Sequence, residues 1–322
     1  MRVVVIGGTG HIGTFLVPRL TAAGHEVVVV SRGARQPYRS IGGWEKVEIV
    51  ELDRAAEEPS GTFGDRVAAL RPEAVIDLIC FTEDSSAMLA EALRGKVRHL
   101  LHCGTIWVHG PSTQVPTTED SPRRPIGSYG IAKAAIEASL LSEARAGGLP
   151  ATVIHPGHIT GPGWAPINPA GHLDVDVFQR LADGDELVLP HLGMETVQHV
   201  HADDVAGLFM AALGNPAAAI GESFHAVAPH ALTLRGYAEA VAGWFGQEAR
   251  LEFLPWQEWT RTVDAKAAEI TWSHLTHSPN CSMEKADRLL GFRPAYSALG
   301  AIADAVGALI ESGQLNAKMT SR

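Results

Sequence analysis

The turn Gly7-Gly8-Thr9-Gly10-His11-Ile12-Gly13, set directly behind the apolar run Val3-Val4-Val5-Ile6, restricts this chain more than any other feature. Glycines three apart allow a tight turn, let the backbone approach a pyrophosphate and let the following helix pack closely on the strand, while the helix N-terminus attracts the anion. A strand before the glycines and a helical pattern after them is the context in which such a motif carries meaning. Here Ile12, Phe15, Leu16 and Leu20 recur at helical spacing, and Gly24 closes the helix before the next apolar run at 26–30. These elements make a βαβ unit built around a phosphate-binding turn.

Short β-branched runs go on alternating with amphipathic stretches, and strands are predicted at 3–6, 26–30, 47–52, 74–79, 97–103 and 152–155. Several are apolar almost throughout, as suits strands buried on both faces. After His155 the texture changes: Pro156, Gly157, Gly161, Pro162, Gly163, Pro166 and Pro169 mark a long irregular passage. The run 197–201, followed by Asp203, Asp204 and an apolar helix to Leu213, reads as a return to the sheet. Further helices are expected at 234–245, 283–290 and 299–310, with a strand at 250–253. The fold class expected is α/β, a Rossmann-type doubly wound parallel sheet with a smaller C-terminal substrate lobe. Residues 1–162 and about 197–230 would form the dinucleotide-binding domain, and about 163–196 with 231–322 the lobe.

With 322 residues, 46% hydrophobic and 19% charged, the chain has the material for a packed interior. The 36 acidic residues outnumber 26 basic ones, and a net charge of -10 repels a phosphate backbone, so nucleic-acid binding is not expected. Cys80, Cys103 and Cys281 are an odd number in a long chain, as in a reducing cytoplasm. No stretch approaches the ~18 apolar residues of a membrane span. The expectation is a cytoplasmic protein that takes a small-molecule substrate, its only macromolecular partner being at most a second copy of itself.

Cofactor choice is read at the end of the second strand, where an acid would hold the ribose hydroxyls of NAD. No Asp or Glu stands between Val27 and Trp44; Arg32, Arg35 and Arg39 do, with Ser31 beside them. A guanidinium suits the 2′-phosphate of NADP, which is favoured over NAD. Asp53, after the third strand, is placed either for the adenine ring or as a cap for the next segment.

Tyr129-Gly130-Ile131-Ala132-Lys133 puts a phenol and an ammonium four residues apart, on one face of a helix. A nearby cation stabilises a phenolate, so Tyr129 is expected to exchange protons closer to neutrality than a free phenol. Thr105 ends the fifth strand at the carboxyl edge of the sheet, where ligands bind, and its hydroxyl can hydrogen-bond a substrate oxygen.

Together these residues resemble the extended short-chain dehydrogenase/reductase superfamily, in its NAD-dependent epimerase/dehydratase branch. The likeness runs through Gly7-x-x-Gly10-x-x-Gly13, Asp53-Arg54, Val75-Ile76-Asp77, Thr105 with Val108-His109-Gly110, Tyr129-x-x-x-Lys133, Pro156-Gly157 with Gly161-Pro162, His199 to Ala206, and Leu290-Gly291-Phe292-Arg293-Pro294. The resemblance implies an oxidoreductase or epimerase that acts by hydride transfer at a secondary alcohol or ketone of a small, sugar-like or ring-shaped substrate. Tyr129 is then the acid/base, Lys133 holds ribose and phenolate, and Thr105 meets the substrate. It also implies a cofactor held by Gly7, Thr9, Gly10, His11, Ile12, Gly13, Arg32, Asp53, Tyr129, Lys133, Pro156 and His158.

Departures narrow that reading. Ile106-Trp107 follows Thr105 where nucleotide-sugar dehydratases carry Asp-Glu, and Thr196-Val197-Gln198 stands where many epimerases keep an arginine for a nucleotide diphosphate. His155 replaces the arginine common before Pro-Gly, and His201 replaces an aspartate. Fifteen histidines invite a metal, with His155, His158, His172, His199 and His201 near the expected cleft, but no His-Glu-x-x-His or Cys-x-x-Cys spacing supports one, so none is expected. Cys80 and Cys103, ending neighbouring strands, read as small buried hydrophobes ahead of a redox pair. Trp107, Trp164, Trp256 and Trp259 line either a pocket or the core. The alternatives to an enzyme are a non-catalytic NADP-sensing regulator, whose kind usually loses the tyrosine kept here, and an RNA-binding relative with a similar Gly-Gly-Thr opening, which the acidic balance opposes.

Overall fold

The computed structural model describes residues 1–34, 36–38 and 41–320. The strands in chain order are β1 (Arg2–Ile6), β2 (Glu26–Ser31), β3 (Glu48–Glu51), β4 (Ala74–Asp77), β5 (His99–Cys103), β6 (Ala151–Pro156), β7 (His158–Thr160), β8 (Glu186–Pro190), β9 (Thr196–Val197), β10 (His199–His201), β11 (Ser223–Ala226), β12 (Leu232–Thr233) and β13 (Arg250–Leu254). Seven of them form one sheet, ordered β3-β2-β1-β4-β5-β6-β11 and parallel throughout.

The valine runs explain why this sheet is covered on both sides. Successive side chains of a strand point to opposite faces. Val3, Val5, Val27 and Val29 pack with Phe15, Leu16 and Leu20 of helix His11–Ala22 and Val205, Leu208 and Phe209 of helix Ala202–Gly214. Val4, Ile6, Val28 and Val30 pack on the other face with Phe63, Leu89, Leu93, Ile136 and Leu140, from helices Thr62–Ala69, Glu83–Leu93 and Gly127–Arg145. Each fully buried valine contributes about 1.5–3 kcal/mol relative to exposure. Strand order reverses between β1 and β4, and the crevice at their carboxyl ends is where open α/β sheets bind ligands.

Two expectations for the second half are corrected. The run 197–201 does not rejoin the sheet: β9 pairs antiparallel with β12, and β10 pairs parallel with β7. The seventh sheet strand is instead β11, a four-residue segment beside β6 whose only large apolar residue is Phe224, too short and too mixed to stand out. The chain leaves the sheet at Gly157, where any Cβ would lie 2.6 Å from the Gln198 carbonyl oxygen, so β7 and β10 pair outside it. Helix Ala265–His277, capped by Asp264 accepting from the Ala267 N–H at 2.8 Å, was also not foreseen.

A separate apolar cluster gathers Phe178, Leu189, Tyr237, Val241, Trp259 and Ile302, with Trp256 packed against it. Trp256 and Trp259 thus belong to a core. Among the described residues, no helix is long and apolar enough to cross a membrane.

Candidate active site

The glycine turn sits between two cavities. Gly7 has φ +81°, which only glycine adopts freely, and a Cβ on Gly13 would stand 2.0 Å from the Gly8 carbonyl oxygen. Gly13 therefore packs helix against turn and lines neither cavity. A Cβ on Gly10 would meet only the Gly7 carbonyl oxygen, at 3.2 Å, and Gly10 lines both cavities. The turn is a cradle that glycine keeps open, and its residues fit a pyrophosphate.

The first cavity, about 420 Å³, is lined by Gly7, Thr9, Gly10, Ser31, Arg32 and Asp53. Asp53 is the N-cap of the short helix Arg54–Glu57, its Oδ1 accepting from the Ala55 N–H at 3.0 Å and the Ala56 N–H at 3.4 Å. Arg32 is exposed at the cavity edge, while Arg35 and Arg39 lie outside the described residues. The Ser31 hydroxyl accepts from the Gly33 N–H at 3.3 Å. Sequence reading missed two neighbours. Glu51 brings a carboxylate oxygen within 3.1 Å of where a Gly33 Cβ would stand. Arg54 is buried and gives Nη1 to both Asp77 oxygens, at 2.9 and 2.8 Å, and Nε to Ser85 Oγ at 2.7 Å.

The second cavity, about 470 Å³, is lined by Gly7, Gly10, His11, Ile12, Thr105, Tyr129, Lys133, Pro156 and His158, with Trp107, Trp164 and His274. The structure thus brings together Thr105 from the end of β5, Tyr129 and Lys133 from helix Gly127–Arg145, and Pro156 and His158 from β6 and β7. Thr105 Oγ1 accepts from the Trp107 N–H at 3.3 Å. Lys133 Nζ donates to the carbonyl oxygens of Cys80 at 2.7 Å and Cys103 at 2.6 Å, and stands 5.9 Å from the centre of the Tyr129 ring.

This geometry corrects the expected acidic phenol. Although Tyr129 is 40% exposed, the protein packed around its phenol, and next the Cys103 sulfur, push it up to about 12, against the pull of the Thr105 side chain. Lys133 does not bring it down, because the ammonium is turned to the two strand-end carbonyls. Burial lowers the Lys133 ammonium, with Cys103 and Asp77 opposing.

His155 finds its partners here. Its Nδ1 accepts from the Thr105 N–H at 3.0 Å, which places the ring proton on Nε2, 3.0 Å from Glu137 Oε1. Arg123 donates Nε to Glu137 Oε2 at 2.9 Å and Nη2 to the other oxygen. Burial opposes the Glu137 charge, but His155 and Arg123 hold its carboxyl well below the usual carboxylate range. A buried relay thus fixes the backbone of Thr105 from behind. His201 caps helix Ala202–Gly214 by accepting from the Asp203 N–H at 3.0 Å, faces Asp304 Oδ2 at 3.2 Å and stacks on Tyr296.

The far wall is aromatic. Trp107 stacks on His277 at 4.3 Å and lies edge-on to Tyr129 at 6.0 Å and His274 at 5.3 Å, while Trp164 stacks on His11 at 5.0 Å. His274 and His277 went unnoticed because their helix did; Asp264 before Ala265-Lys266-Ala267-Ala268 was the signal that could have found it. Cys80 and Cys103 are buried free thiols, and burial pushes Cys103 up to about 11. Asp77, Cys80 and His102 bring potential ligand atoms within 4.8 Å of one another, but Asp77 is held by Arg54, and Lys133 and Arg54 crowd His102 with positive charge.

A doubly wound parallel sheet, with a glycine turn at its switch point and a threonine, tyrosine and lysine beside it, defines a Rossmann-type α/β protein of the dehydrogenase kind. The model of the NAD dependent epimerase/dehydratase family matches residues 3–226, and the chain belongs to that family. It is 32% identical over 241 residues to 2′-dehydrokanamycin reductase of Streptomyces kanamyceticus, a match covering 75% of this chain and 66% of that one. It is 29% identical over 276 residues to UDP-glucose 4-epimerase of Mycolicibacterium smegmatis, covering 79% and 86%. The crystal structure of UDP-glucose 4-epimerase from Thermotoga maritima with UDP-glucose superposes with a TM-score of 0.71 at 22% identity, covering 97% of this chain and 99% of that one.

Proposed function

We propose that this protein is an NAD(P)-dependent oxidoreductase that reduces a ketone, or oxidises the matching secondary alcohol, of a small ring-shaped substrate. The observation that carries this reading is that Thr105, Tyr129 and Lys133 line one cavity, the one that runs on from the glycine turn. Bound along that turn, a nicotinamide supplies the hydride acceptor or donor. Tyr129, neutral in this structure, is a proton donor for the oxygen of a ketone. Thr105 orients that oxygen, and its own position is set by the His155 ring. Lys133 uses two of its three N–H bonds on the strand ends, leaving the third for a ribose hydroxyl. At the other end Arg32 stands at the cavity edge with no acid of its own strand nearby, which favours NADP, with Asp53 serving the helix as cap. The similarity to a named reductase supports a reductive step, and that to named epimerases the same hydride transfer at a ring carbon.

Replacing Tyr129 with Phe tests the reading. The ring stays and the hydroxyl goes, so kcat should fall on the order of 10²-fold or more while cofactor affinity is kept. A substrate is first found by screening ketones for oxidation of NADPH and NADH. If Tyr129→Phe retained more than about a third of wild-type turnover, the reading would yield to that of a cofactor-sensing or binding protein.

A further inference from the structure

We propose that the cleft beside Tyr129 selects a ring that carries several hydroxyl or amino groups and no nucleoside diphosphate, with His274 accepting a hydrogen bond from one of those groups. This names the substrate class of the oxidoreductase reading and rests on it.

The position of its ring proton sets what His274 can bind. His274 Nδ1 lies 2.8 Å from the Ile270 carbonyl oxygen. A carbonyl only accepts, so the proton is on Nδ1. Burial pushes the ring down to about 4, so at neutral pH it holds that single proton. Nδ1 is turned back onto its own helix, and Nε2, at the far edge of a ring that lines the cavity, keeps its lone pair. His158 lines the same wall, its ring centre 5.7 Å from that of His274. Burial holds His158 neutral too.

The surface beside His274 is flat and fixed. Trp107 is clamped by its stack on His277, whose Nδ1 is in turn tied to the Ser273 carbonyl at 2.6 Å, so the indole offers the ring C–H groups of a substrate a rigid apolar face next to Tyr129. Charge excludes the alternative. Among the described residues lining this cavity, Lys133 is the only cationic side chain, and its ammonium is engaged by the Cys80 and Cys103 carbonyls. Diphosphates are gripped by guanidinium forks, ammonium groups or helix N-termini, and the helix N-terminus in this lining, at Gly10 and His11, is taken by the cofactor's own pyrophosphate. Phosphate oxygens would here meet an imidazole lone pair, whereas hydroxyl and amino hydrogens find an acceptor.

Calorimetric titration of the protein saturated with NAD+ or NADP+ tests this with myo-inositol, glucosamine, cyclohexanol and UDP-glucose as probes. At least one of the first two should bind more tightly than both others. His274→Phe keeps the ring and removes the lone pair. It should weaken that probe about tenfold and leave cyclohexanol, cofactor affinity and the circular dichroism spectrum unchanged. Preference for UDP-glucose, no binding of either substituted ring, or a His274→Phe protein with wild-type affinity would each overturn the proposal. The titration reads binding, so an active Tyr129→Phe protein would defeat the oxidoreductase reading and leave this result standing. A UDP-glucose preference would do the reverse.

Discussion

Replacing Glu137 with Gln probes the buried relay behind the cleft. Glu137 is 3% exposed, accepts two hydrogen bonds from Arg123 and faces the His155 Nε2 proton at 3.0 Å. Removing one partner of a buried pair costs about 3–5 kcal/mol, because the other charge is left without compensation. Arg123 is partly solvated and keeps the Glu119 and Ser121 carbonyl oxygens, at 2.6 and 2.8 Å, so the lower end applies. The expected loss is about 3 kcal/mol at pH 7. The pH dependence has a definite sign. The folded state holds the Glu137 carboxyl well below its unfolded value of about 4.3, so its contribution is fully present above that value and is lost as pH falls toward the folded value. Urea unfolding of wild type and Glu137→Gln, followed by circular dichroism from pH 7 to pH 3, should show a constant gap down to about pH 5 and a narrowing one below. A gap under about 1 kcal/mol at pH 7, or one that widens in acid, would refute the argument.

Two further expectations concern the cofactor. Gly10→Val should abolish cofactor binding with the fold intact, since the added Cβ meets only the Gly7 carbonyl oxygen within the protein and the branched remainder enters the cavities; circular dichroism and quenching of tryptophan fluorescence by cofactor measure both halves. Arg32→Asp should weaken NADP binding far more than NAD binding, by about tenfold or more, because it removes a phosphate partner and adds repulsion. Titrating both cofactors against both proteins checks this, and a wild-type preference for NAD would refute it.

Local pattern was enough for the dinucleotide half of the molecule. Glycine spacing, valine runs and helical periodicity act over a few residues, so the first βαβ unit, the strands near 74–79, 97–103 and 152–155, and the placing of Thr105, Tyr129 and Lys133 at one sheet edge were legible without coordinates. Short strands with little apolar content were not. β11 becomes a strand because β6 offers it an open edge, and the run 197–201 stays outside the sheet because its backbone pairs with β12 and β7 instead.

The chemistry of the site divides the same way. Which residue types can move a proton is a property of the sequence, but their pKa values and partners depend on contacts between distant segments. Lys133 was expected to acidify Tyr129, and is instead turned to carbonyls at 80 and 103, while packing drives the phenol up. His155, without meaning in the sequence, joins Thr105 to Glu137 across 50 and 18 positions. His274 reaches the cleft from a helix that begins more than a hundred residues beyond Tyr129. Tautomer and burial at these histidines depend on which carbonyl or carboxylate lies opposite, and only tertiary packing decides that.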